Sequence, residues 1–177
     1  MTVLLTLVAL LSLLSFLLKC SFFPRGWTAV AALALALAVR LAIPWLVRQP
    51  AGLVADWTST PGRMLDGAVC IVLEAVLMMA FCFGRPSGRL RLLSLYPGLL
   101  VFPAACWGWD QLLFARPGIH FDRFAWIAAL VTLAVAFGGS RLLARLVPDE
   151  ATRLEGLFLI NLFLLLLCVA ATGAITF

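Results

Sequence analysis

Charge is what this 177-residue chain has least of. Asp, Glu, Lys and Arg make up 12% of it, against 64% hydrophobic residues, where a soluble domain carries about 25% charged and 45–50% apolar residues. No polar stretch exceeds some twenty residues, so within these residues neither a soluble catalytic domain nor a nucleic-acid-binding domain is expected. The formal charge of +5 is scattered one to three cations at a time between apolar runs, a pattern of membrane topology and not of nucleic-acid binding. Histidine occurs once, at His120. One imidazole supplies neither the paired axial ligands of a membrane haem nor a zinc set, so no metal or other cofactor is expected. The five cysteines, Cys20, Cys70, Cys82, Cys106 and Cys168, are odd in number and include no C-x-x-C pair. Four of them fall in apolar runs, where cysteine acts as a small hydrophobe. Glycine-rich phosphate loops, G-x-S-x-G elbows and H-E-x-x-H motifs are missing as well.

What is present is a succession of apolar runs, with mean hydropathy +1.13. They predict an all-α integral membrane protein: a single domain over residues 1–177, bundled from six transmembrane helices at about 2–18, 27–47, 61–84, 92–115, 124–143 and 157–177. The first run has no basic residues before it and Lys19 after it, so it reads as a retained helix and not a signal peptide. A polar segment near 48–60, with Trp57, reads as interfacial. Thr60-Pro61 is an N-cap followed by proline at the first helical position. Pro97-Gly98 and Pro103 predict a kinked fourth helix.

Cations in alternate loops set the orientation. Lys19, Arg25, Arg85, Arg89, Arg91, Arg141, Arg145 and Arg153 fall on one side, and Arg48, Arg63, Arg116 and Arg123 on the other. The bias predicts both termini outside the cytoplasm, and helical spans in place of a barrel point to a bacterial inner membrane.

Polar residues inside apolar runs are the candidate functional positions, because an unpaired charge at such depth costs at least a few kcal/mol. Arg40 and Glu74 are expected at similar depth on neighbouring helices, with Asp110 approaching the same layer. Together they read as an intramembrane polar centre for an ion, a proton or a headgroup. The alternative is a structural Arg40–Glu74 ion pair, with Arg40 also long enough to snorkel outward. Asp56, Asp66, His120 and Asp122 form an external polar set whose spacing does not establish convergence. Ala34, Ala38 and Ala42 at four-residue spacing, Gly138-Gly139, and Asn161 read as helix-packing positions.

A chain of this length with six expected spans looks like the substrate-binding subunits of energy-coupling-factor transporters. The stretch Gly52-Leu53-Val54-Ala55-Asp56-Trp57-Thr58-Ser59-Thr60-Pro61-Gly62 is similar to a Gly/Asp/Ser/Gly stretch in the small membrane subunit of the bacterial rod-shape complex, with different spacing. The lack of a soluble domain, the small-residue faces suited to helix contacts and the isolated intramembrane charges read as a non-enzymatic subunit of a larger inner-membrane assembly, in contact with the lipid bilayer and with other membrane subunits. The polar centre favours instead a small-solute or ion transporter. An intramembrane enzyme acting on lipid would need Asp56, His120 and Asp122 to converge.

Overall fold

The computed structural model describes residues 2–48, 61–83, 96, 98–115 and 120–173. Among them are six helices and no strand: α1 (Thr2–Cys20), α2 (Arg25–Leu46), α3 (Pro61–Phe83), α4 (Val101–Phe114), α5 (Phe121–Leu146) and α6 (Glu150–Gly173). Three stretches are long and apolar enough to cross a membrane: Arg25–Leu46, Phe121–Leu146 and Glu150–Ala170. The 22 residues of α2 rise about 33 Å, close to the roughly 30 Å of a hydrocarbon core. The 14 residues of α4 rise only about 21 Å. Each helix turns large apolar side chains outward, among them Leu10, Leu41, Val76, Leu112, Leu130 and Leu159. A surface of this kind is compatible with a membrane-embedded protein.

α1 is the hub, packing against α4, α5 and α6; α2 lies along α5 and touches α4, while α3 lies along α6. One core cluster joins Phe16 and Cys20 to Leu35, Val101 and Ala136. A second joins Val39 and Ile43 to Leu113, Phe124 and Ala128, and a third joins Leu18, Met78 and Leu157. α2 and α3 are not among the closely packed pairs, although they follow one another in the chain.

The α2–α5 seam is built from small residues on both sides. Thr28, Ala32 and Ala36 are buried on α2, and Ala128, Thr132, Ala136 and Ser140 on α5. Four-residue spacing puts each set on one face and lets the two backbones approach closely. This corrects the stripe expected from sequence: Ala34 is exposed and Ala38 and Ala42 are only half-buried. The alanine-rich run offers two such stripes nearly opposite each other, and Leu35, Val39 and Ile43 decide which one turns inward. Gly139 abuts α1, where an added Cβ would meet Leu17 at 3.1 Å, whereas Gly138 faces open space.

Helix ends also differ from expectation. α4 begins at Val101, after non-helical residues 98–100, which places Pro103 in its first turn, where a missing N–H breaks no intrahelical bond; the start expected near 92 lies outside the described residues. α6 begins at Glu150, seven residues before the apolar run, because the Asp149 carboxylate caps it by accepting the Thr152 N–H (3.0 Å) and hydroxyl (2.5 Å). α3 starts at Pro61, as the Thr-Pro signal predicts. The interfacial segment expected near 48–60 lies outside the described residues beyond Arg48.

Candidate polar centre in the bundle

Ser12, Ser15 and Lys19 recur at helical spacing on α1 and are all buried. Ser12 donates back to the Val8 carbonyl (2.7 Å), the usual resort of a hydroxyl inside an apolar helix. Ser15 accepts from Asn161 of α6, whose Nδ2 donates to Ser15 Oγ (3.0 Å) and to the Leu157 carbonyl (2.8 Å). The Asn161 Oδ1 is buried and has no hydrogen-bond partner among the described residues.

One turn further on, Lys19 has 0% of its surface exposed. Its Nζ lies 5.0 Å from the Phe81 ring centroid and 5.4 Å from that of Tyr96. It makes no hydrogen bond to any described residue. Aromatic faces attract a desolvated ammonium by about 2 kcal/mol, which offsets only part of the cost of removing it from water.

The neighbouring acid is Glu74, on α3 and 4% exposed. Its Oε2 accepts the Leu99 N–H at 2.6 Å, and the Tyr96 hydroxyl donates to it at 3.5 Å. Gly98, at φ +137°, brings the backbone so close that an added Cβ would stand 3.1 Å from Glu74 Oε1. The carboxylate therefore sits against the backbone that enters α4, where the free N–H groups of a helix start favour negative charge. Lys19 and Glu74 act on each other electrostatically without forming an ion pair, and Tyr96 touches both.

Arg40 does not reach this centre. It pairs with Asp122 in the first turn of α5 (2.5 Å) and lies 5.0 Å over the Trp126 ring. The expected Arg40–Glu74 pair is thus replaced by Arg40–Asp122, because α2 packs on α5 and not on α3. Asp122 is 78% exposed, so this contact is a surface pair contributing at most about 1 kcal/mol. Asp110 is buried in α4 and forms no ion pair with Arg40, which pairs with Asp122 instead. His120 is exposed at the N-cap of α5. Asp66 lies in α3 with its side chain outside the described residues, as is all of Asp56.

Lys19 and Tyr96 are the positions of the centre that hydropathy misses. Each is the sole residue of its type, and that singularity is the one signal the sequence carries. Lys19 resembles a loop cation because it ends its apolar run, yet α1 continues through it to Cys20.

Two further features surround the centre. At the end of the bundle where α1 stops, Arg153 donates to the Ser21 carbonyl and hydroxyl (both 3.1 Å), and Arg141 donates to Thr28 Oγ1 (3.4 Å). These contacts tie α6 to the turn between α1 and α2, and α5 to the first turn of α2. Separately, an apolar cavity of about 260 Å³ opens between α1, α4 and α5, lined by Leu10, Leu13, Ala104, Gly108 and Val135 among others. Among the described residues no cluster of His, Cys, Asp and Glu suits a metal ion. No protein-family model matches the chain, and comparison with curated proteins and with solved structures finds no match.

Proposed function

We propose that the chain is a six-span protein of the bacterial inner membrane, with both termini on the non-cytoplasmic side, and that it handles a small solute or ion at Lys19, Tyr96 and Glu74. The observation that carries this reading is the fully buried Lys19 ammonium without a hydrogen bond to any described residue, beside a buried carboxylate. Ionisable groups inside a membrane bundle are costly and tend to mark transport pathways. The orientation rests on the cations, since Lys19, Arg25, Arg141, Arg145 and Arg153 all gather at the end where α1 stops. In reconstituted vesicles Glu74→Gln should abolish transport while leaving the amount of folded protein unchanged. Equal loss of folded protein and activity would make Glu74 a purely structural group.

A second reading is a non-enzymatic subunit of a larger membrane assembly, and the lateral apolar cavity beside the short α4 favours it. Purification from native membranes in mild detergent, followed by native mass spectrometry, separates the two. Stoichiometric membrane partners support the assembly; a lone chain or homo-oligomer supports the transporter.

A further inference from the structure

The geometry points to the proton as the ion handled at the Lys19–Tyr96–Glu74 centre, with Glu74 and Lys19 as its donor and acceptor groups. This inference rests on the transport reading above and narrows it.

A metal cation does not fit. Ca²⁺ needs about six to eight oxygen ligands, and other hard cations similarly demand oxygen-rich cages. Here, among the described residues, the centre offers one carboxylate, Glu74, which faces the Leu99 N–H, the Tyr96 hydroxyl and the Gly98 backbone, with an ammonium nearby. A solute of several heavy atoms fits no better, because the cavities of about 260 Å³, one between α1, α4 and α5 and one beside Arg48 and Asp122, include none of the three centre residues in their linings. A proton needs no cavity, only hydrogen-bonding groups and single waters between them.

The side chains present supply such groups. Among the described residues Lys19 Nζ is a donor without an acceptor, and Asn161 Oδ1 an acceptor without a donor. Both belong to the polar stripe formed by Ser12, Ser15 and Lys19 with Asn161 across from it. Ser15 and Lys19 are four residues apart on α1, about 6 Å of rise. Water entering between them would satisfy both orphan atoms. At the other end Tyr96 joins Lys19 to Glu74 through its ring and its hydroxyl. A purely structural pair would set the ammonium directly on the carboxylate; here the two are held apart, so a proton can leave one group without the other losing its hydrogen bonds. The titratable groups acting on Lys19 are Glu74 and Cys82 of α3 and its own neighbour Cys20. Those acting on Tyr96 are Glu74 and Cys70.

The test is proton flux into liposomes that contain the purified full chain and a trapped pH-sensitive dye, driven by a valinomycin–potassium potential, with a sodium-selective dye in parallel. Wild-type vesicles should change internal pH at least tenfold faster than empty ones and admit sodium no faster than empty ones. Glu74→Gln and Lys19→Met should bring proton flux to background, and Glu74→Asp should retain part of it. Should the neutral variants not fold, infrared difference spectra of the wild type alone decide: a buried carboxyl C=O band must appear and disappear with external pH. Proton flux unchanged in folded Glu74→Gln, or a carboxyl band that ignores external pH, overturns the inference. Sodium flux lost in Glu74→Gln overturns it while leaving the transport reading intact. Vesicles as tight as empty ones to both ions overturn both.

Discussion

Gly98 is the residue on which the polar centre turns. Its φ of +137° is open to glycine and strained for any L side chain, and the space a Cβ would take is occupied by the Glu74 carboxylate. Gly98→Ala should therefore lower stability by about 1–3 kcal/mol and impair transport together, measured by thermal unfolding in detergent and by vesicle flux. A variant as stable as wild type would show that Glu74 is not held by this turn. Asp149 offers a pH-dependent check far from the centre. Thr152 donates its hydroxyl and N–H to this exposed carboxylate and holds its pKa below the ordinary value. Since the folded value is the lower one, the stabilisation is complete above the unfolded value of about 3.9 and disappears as pH falls through the folded value. Stability between pH 6 and pH 3 should decline less steeply in Asp149→Asn than in wild type. An identical decline would remove Asp149 as a contributor.

At the scale of the helix, the sequence located the apolar segments well and their faces poorly. Apolar runs record where a chain avoids water, and four of the six helices, α1, α2, α3 and α5, start within three residues of the expected place, Pro61 among them. The early start of α6 was legible in principle, because Asp149 and Thr152 have cap spacing, but the acids Glu150 and Glu155 hid it from a reading based on hydropathy. Which face of α2 turns inward was not legible: lipid and protein interior are equally apolar, so alanine stripes on opposite sides look alike. Substitution separates them. Ala128→Leu, at a position with 0% exposure, should overpack the α2–α5 seam and cost about 1–3 kcal/mol. Ala34→Leu should change stability by less than about 0.5 kcal/mol. Unfolding in a denaturing detergent series measures both, and the reverse order would put the other stripe inward.

For the whole molecule, what escaped the sequence was partnership between helices. The expectation that Arg40 meets Glu74 assumed that consecutive helices are neighbours, whereas α2 packs on α5, α3 packs on α6, and α1 stands between the groups. Arg40 accordingly pairs with Asp122, and Glu74 finds Tyr96, the entry to α4, and Lys19. Residue types signalled a buried charge but not its partner, since pairing depends on contacts far apart in the chain. The cations at the end where α1 stops predict topology: a reporter fused after Phe177 should be active on the non-cytoplasmic side, and cytoplasmic activity would reverse the orientation.

The most direct test of the central claim uses the fact that Lys19 is the only lysine. Membranes containing the protein would be treated with a water-soluble amine-acylating reagent, intact or after denaturation in SDS, and modification of the Lys19 peptide measured by mass spectrometry. A buried Lys19 in a folded centre should be modified at least tenfold more slowly in intact membranes than after denaturation, and Gly98→Ala should narrow that difference. Equal modification in both conditions would return Lys19 to the surface and contradict the account.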